Sequence, residues 1–519
     1  MSAKALACHD IVEQIVRLLV DTQTDHNDNT IMRKQDILSC ALTCRSFLGP
    51  ALGVLWYSLN SLVPLLKLLP NFKAESGYYS LTGKITEKDW TNFDAHAKLV
   101  REFIYTDIDS PDHIVLPSVY LRLAQCRPKP LPHLMRFNCP CSTAAITETL
   151  LFLSPLLERV EFKNVSTVAK TANIEMFLSF LADESVSLQS LYMEGNASKS
   201  LLSSICHFKQ LRSLELLGGR DNVIDEEDLV NLGASLPHLT KLSLEANVSS
   251  STQSRPEETH LFSNVNDLTL FGSTTSISSI LKIISAEQLE KFELHIPETS
   301  DSDQPHIQYV VNQAASRWSQ TLSSLKIYLT DGNDVDSRGW GDDSTNGSDL
   351  SINHFLQPIY QHPWPNLKVL TINRDLGWSC SNGEITKLVS TWPLLKELEL
   401  SLNAPKYTQL PTLSSLYTIA HYCPDLVSLR ITLNLRDVKD IHIHLSSSSF
   451  IPHHLDHLFI DTEHAVDDII LLIQHLDTVF PYLQSLLGRK DAQSDWVEIQ
   501  RILKLCQKVR ASERRRLKG

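Results

Sequence analysis

A chain of 519 residues, 42% hydrophobic and 21% charged, carries enough apolar material for an extended core or several domains and has a globular composition. Its 60 acidic residues against 47 basic ones leave a formal charge of -13, which opposes general attraction to nucleic-acid backbones or anionic lipid. The start MSAKALACHD lacks the apolar core of a secretory signal, apolar runs fall short of the roughly 20 residues that cross a bilayer, and ten scattered cysteines suit reduced thiols; the expected compartment is cytoplasmic or nuclear, with no membrane and no nucleic acid as partner.

In chain order, HDIVEQIVRLLV places Ile11, Val12, Ile15, Leu18 and Leu19 on one side of a helix starting near Asp10. A polar loop, DTQTDHNDNTIMRKQ, comes next. In the adjoining stretch, DILSCALTCRSFLGPALGVLWYSL, Asp36 is expected to cap a second helix whose Ile37, Leu38, Ala41, Leu42 and Leu48 are apolar. Gly49 is expected to stop it and Pro50 to open a third, carrying Leu52, Val54, Leu55, Trp56 and Leu59. Helices apolar around so much of their girth are best explained if part of that surface meets a partner.

This order of residues resembles an F-box: an amphipathic helix, then Leu42, Cys44, Arg45 and Phe47 in a Leu-x-Cys-Arg-x-Phe string, then Leu55-Trp56. The resemblance implies a three-helix module over residues 1–61 that docks on the Skp-type linker of a cullin-RING ubiquitin ligase. Carried onto this sequence, the linker-binding residues are Ile11, Ile15, Leu18, Ile37, Leu38, Leu42, Leu55 and Trp56. Two departures stand beside it: Leu6-Ala7-Cys8-His9 replaces the Leu-Pro that normally opens the first helix, and the loop from Asp21 to Gln35 is long. The alternative is a helical cap that only closes the first unit of a C-terminal repeat domain.

After a connecting segment, residues 62–97, one pattern recurs: apolar-x-x-apolar-x-apolar. It begins as VREFIY at Val100, LMRFNC at Leu134, LERVEF at Leu157, LQSLYM at Leu188, LRSLEL at Leu211, LTKLSL at Leu239 and VNDLTL at Val265. It continues as LEKFEL at Leu289, LSSLKI at Leu322, LKVLTI at Leu367, LKELEL at Leu395, LVSLRI at Leu426 and LDHLFI at Leu455, fading at LQSLLG from Leu483. That makes about 14 units spaced by roughly 29 residues. The hexamer alone is a loose pattern, but Pro132, Pro155, Pro237, Pro365, Pro393, Pro424 and Pro481 each stand two residues before a unit. With 23 prolines in the chain, composition predicts fewer than one such coincidence. Proline lacks an amide donor and drives its predecessor out of the helical region, so it separates a helix from the next strand.

Short amphipathic patterns such as ITETLLFLSPLL, DLVNLGASLPHL, ITKLVSTWPLL and SLYTIAHYCPDL precede many units, giving helix, turn, short strand. Asn196, Asn247, Asn403 and Asn434 fall on the ninth position, where leucine-rich repeats commonly place an asparagine against the turning backbone. Residues 98–487 resemble that family. The fold class expected is α/β: a leucine-rich-repeat solenoid, a horseshoe with a parallel sheet on its concave side, behind a small all-α module. Alternation places Tyr192, Glu215, Lys241, Phe271, Glu293, Lys326, Tyr328, Glu399, Arg430 and Phe459 on the concave face as candidate substrate-binding residues. Mixed charge with aromatics suits a protein ligand.

Residues 331–350, DGNDVDSRGWGDDSTNGSDL, lack the ligand register of a calcium loop and read as a disordered acidic insertion. His442, His444, His453, His454, His457 and His464 have no companion Cys or Glu at zinc spacing, and neither do Cys40 with Cys44 or Cys139 with Cys141. No phosphate loop and no Gly-x-Ser-x-Gly elbow occurs, so neither metal, cofactor nor catalytic site is expected. Residues 488–519 are expected to close the final repeat with a helix carrying Trp496, Ile499, Ile502, Leu503 and Cys506, ending in a basic tail. Together the two resemblances imply a substrate adaptor of a ubiquitin ligase, with an unidentified protein substrate, and not an enzyme; the alternative is a protein-binding scaffold outside any ligase.

Overall fold

The structure, a computed structural model, describes residues 9–21, 30–105, 114–139, 146–165, 167–184, 187–218, 223–245, 247–249, 261–298, 304–331, 351–374, 378–402, 409–436, 453–462, 466, 468–488 and 493–518. It divides into two compact units, Met1–Leu239 and Thr240–Gly519.

The first unit opens with three helices, α1 (His9–Asp21), α2 (Thr30–Thr43) and α3 (Arg45–Leu55). Val12 and Val16 of α1, Ile37 and Ala41 of α2 and Ala51 of α3 form a small core, with Phe47, Val54 and Leu55 packed against it. Two boundaries differ from the sequence expectation. Asp36 lies inside α2 and does not cap it, and the corner falls at Cys44, extended at φ -160°, ψ 165°, while Gly49-Pro50 sits within α3. Proline costs α3 one amide donor. The crowding that proline imposes on its predecessor acts through that residue's Cβ as well as its amide, and Gly49 has no Cβ, so the helix runs on.

Beyond the module, six strands of this unit pair in parallel and in chain order: Ser58–Leu59, Glu102–Ile104, Arg136–Cys139, Arg159–Val165, Ser190–Gly195 and Ser213–Leu217. Nine more do so in the second unit: Lys241–Glu245, Asp267–Phe271, Lys291–Glu298, Ser324–Asp331, Val369–Arg374, Glu397–Leu402, Ser428–Thr432, His457–Asp461 and Ser485–Gly488. Each expected motif is one strand. The fifteenth, Ser58–Leu59, was not expected: its Tyr57 carbonyl accepts from the Arg101 and Glu102 amides, which makes Trp56 the first apolar position of an additional unit.

The same two-amide clasp registers each neighbouring pair within a unit. Lys396 and Glu397 both donate to Lys368 O at 2.7 and 3.0 Å, Val427 and Ser428 to Lys396 O at 2.7 and 3.1 Å, and Asp456 and His457 to Val427 O at 3.0 and 3.1 Å. Because register is held this way, the leucines of successive motifs stack. Leu191, Leu242, Leu398 and Leu429 are all buried. Burying three such side chains per repeat supplies about 5–9 kcal/mol of transfer free energy, which an isolated repeat has no neighbour to collect.

The prolines act at the helix ends. The helices Glu226–Ser235, Asn382–Thr391, Ser414–Tyr422 and Ile469–Val479 are followed by Leu236, Trp392, Cys423 and Phe480, with φ between -114° and -125° and ψ between 64° and 72°. Each precedes a proline. All four lie outside the helical region, from which a following proline excludes its predecessor. The ITETLLF stretch forms a 3-10 helix, Ile146–Phe152, in place of the expected α-helix. A long helix, Gln493–Lys518, packs Trp496, Ile499 and Leu503 inward at the end of the second unit.

Candidate functional site

Two surfaces carry candidate contacts. On the helical module, α1 and α2 each have a second apolar stripe besides the one that forms the core. Ile11 and Leu18 of α1 are exposed, with Ile15 between them half-buried, and Leu38 and Leu42 of α2 are exposed, Leu42 at 78%. The spacings i, i+4, i+7 and i, i+4 put each set on one helical face. Leu48 of α3 is exposed as well.

The other residues of that candidate set lie elsewhere. Ile37 is buried in the module's own core and Leu55 is half-buried against it. Trp56 is half-buried, its ring 4.8 Å from that of His96. Sequence reasoning could not separate Ile37, inside, from Leu38 and Leu42, outside, because both stripes are apolar and successive residues lie about 100° apart on one helix.

The solvent face of the sheet carries the second set. In the first unit, register brings Asn138, Glu161, Tyr192 and Glu215 into one row across neighbouring strands. Glu161 accepts from Asn138 Nδ2 at 2.7 Å and pairs with Arg159 at 2.7 Å. Lys163 lies over the Tyr192 ring at 5.8 Å.

In the second unit two rows run side by side. Lys241 stands at the first position of its strand, half-buried. One row places Phe271, His295 and Tyr328 in neighbouring register, and their rings stack: 4.2 Å from Phe271 to His295, 4.5 Å from His295 to Tyr328, with interplanar angles of 17° and 13°. His295, which strand alternation also places on this face, is the middle of that stack. The other row runs Thr269, Glu293, Lys326, Thr371, Glu399, Arg430, Phe459 and Leu487.

Charges along this row are paired. Glu293 contacts His295 Nε2 at 2.8 Å and Lys326 at 3.7 Å; the hydrogen bond from His295 above all holds its carboxyl below the usual range. Burial, reinforced by the Glu293 and Glu399 carboxylates, pushes the Tyr328 phenol up to about 12. It therefore stays a neutral hydrogen-bonding group at any physiological pH. Arg430 pairs with Glu399 at 3.3 Å and its guanidinium lies 4.3 Å from the Phe459 ring centroid. The strands from Glu397–Leu402 to Ser485–Gly488 border an open cavity of about 320 Å³.

Of the candidate histidines, His453 is buried, its Nε2 2.7 Å from the Cys423 carbonyl; burial lowers its pKa, so it is a neutral core group. His454 stacks on Tyr482 at 4.4 Å. His457 lies exposed on the sheet face, while His442, His444 and His464 fall outside the described residues, as do Cys141, Asn403 and residues 332–350. Asn434 accepts from the Arg436 amide at 3.0 Å, the turn-closing role expected of the ninth position. Among the described residues no group of three His, Cys, Asp or Glu side chains is placed to hold a metal ion, and no helix is long and apolar enough to cross a membrane.

No family model matches the chain, and no curated protein matches it in sequence. Among solved structures, it is similar to a chain of the yeast Rad7–Elc1 complex, with 15% identity, 73% of this chain and 85% of that one covered, and a TM-score of 0.36. It is also similar to the leucine-rich repeat-containing protein LegL7 from Legionella pneumophila, with 11% identity, 74% and 93% covered, and a TM-score of 0.29. The fold class rests on this chain's own strands: parallel, clasped in register and backed by buried leucines, they make it an α/β leucine-rich-repeat solenoid.

Proposed function

We propose that this chain is the substrate-recognition adaptor of a cullin-RING ubiquitin ligase, acting in the cytosol or nucleus. Its F-box-like helices dock on the Skp-type linker, and the solvent face of its sheet holds a protein to be modified. It carries out no bond chemistry itself.

The second apolar stripe of α1 and α2 supports this reading most. A module that needed only its own core would gain nothing from a leucine at Leu42, which is 78% exposed, or from Leu18, at 58%. Exposed leucines and isoleucines repeated at helical spacing fit the burial of a partner's apolar surface. The strand Ser58–Leu59 favours a second role for the same helices, as the cap of the first repeat, because it joins α3 directly to the sheet. The two roles use different residues, Trp56 and Leu59 for the cap and Leu38 and Leu42 for the linker.

Leu42→Asp separates them. Being so exposed, the substitution should shift stability by no more than about 0.5 kcal/mol, while affinity for a purified Skp-type linker should fall at least about tenfold. A variant that melts like the wild type and still binds the linker with wild-type affinity contradicts the docking role.

A further inference from the structure

The four last strands of the second unit give the capturing face a chemical polarity. Glu397 and Glu399 stand on the strand Glu397–Leu402, Arg430 on the next, Phe459 on the third and Leu487 on the fourth. Arg430 is committed twice, to Glu399 at 3.3 Å and to the Phe459 ring at 4.3 Å. Glu397 is exposed and makes no ion pair among the described residues. The cavity of about 320 Å³ thus holds two carboxylates against one guanidinium, with the His457 imidazole also on its lining; counting the carboxylates and the guanidinium, one negative charge is left over at this end. At the other end Leu487, 53% exposed, extends the surface of Phe459 with bare hydrocarbon.

The distance between the two ends is set by sheet geometry. From the strand of Glu397 to that of Leu487 is three strand spacings, about 14 Å at roughly 4.8 Å each. A peptide laid across the strands in extended form advances about 3.3 Å per residue. It would cover the gap in about four residues. Hydroxyls of Thr371, Ser428 and Ser485 line the same cavity and can bond a crossing main chain.

We propose that this groove binds an extended peptide segment of the substrate in which a lysine or arginine lies about four residues from a large apolar side chain. The basic group meets Glu397, and the apolar one rests on Phe459 and Leu487. This deepens the substrate-capture reading and rests on it. Phosphate-bearing ligands are disfavoured, because the unpaired charge is negative.

A display selection of random nonapeptides on the immobilised full chain tests it. The wild type should enrich peptides with Lys or Arg four positions from Phe, Leu, Ile or Met at least about tenfold, the equivalent of one contact of about 1.4 kcal/mol. Glu397→Lys, at an exposed position, should exchange the basic preference for Asp or Glu, and Leu487→Asp should erase the apolar one. No enrichment, an acidic preference in the wild type, or an unchanged preference in Glu397→Lys would each overturn the inference. Linker binding measured on the same preparations keeps the outcomes apart: a chain that binds linker and shows no peptide preference refutes the groove alone.

Discussion

Leu398→Asp should lower unfolding free energy by about 3–5 kcal/mol, read as a lower urea midpoint of the full chain, while Glu397→Ala, one residue away, should change it by less than about 0.5 kcal/mol. Leu398 is 2% exposed and is flanked in register by Leu370 and Leu429 on the neighbouring strands, whereas Glu397 is exposed with no ion pair among the described residues. An aspartate there must either remain charged in hydrocarbon or take up a proton, and neither form finds a hydrogen-bond partner among leucines. Repeats transmit the loss, because each one's stability depends on its interface with the next. Equal effects of the two substitutions would mean that the strand does not alternate between core and solvent.

Gly195→Ala carries the second large effect, about 2–4 kcal/mol of destabilisation from backbone strain and overlap. Gly195 has φ +146°, outside the range of an ordinary L-residue, and a Cβ built on it would lie 2.1 Å from the carbonyl oxygen of Val165. The overlap is with main chain, which cannot swing aside. It arises where the strand Arg159–Val165 shifts register between Phe162 and Val165, with Asn164 at φ 59°. Gly383→Ala is the control. That glycine lies in the helix Asn382–Thr391 with only Ser381 Oγ at 3.8 Å from the added carbon, so the change should be neutral or stabilise by up to about 1 kcal/mol. Thermal unfolding of the two variants should therefore move in opposite directions or differ severalfold.

The strands were legible because their signal is dense: three apolar positions in six residues, repeated, with proline marking the preceding turn. The strand Ser58–Leu59 was not, since its motif reads Trp56-x-x-Leu59-x-Ser61 and a serine stands where the last apolar residue belongs. Glycine followed by proline usually ends a helix, and Gly49-Pro50 misled for that reason; the three-helix packing outweighs the local preference. On the sheet face, alternation identified which side chains reach solvent, as at Glu293, Tyr328 and Arg430. What alternation lacks is the lateral register, and lateral register is what stacks His295 between Phe271 and Tyr328 and sets Arg430 against Phe459. Ile37 of the core was grouped with the outer Leu38 and Leu42 for a similar reason: which stripe forms the core depends on where α3 packs.

Hydrogen exchange of the full chain with and without saturating purified Skp-type linker tests the adaptor reading most directly. Amides of α1 and α2 should exchange at least about tenfold more slowly in the complex, with those of the strands from Glu397–Leu402 to Ser485–Gly488 unchanged. Identical exchange of both helices in the presence and absence of the linker would contradict it.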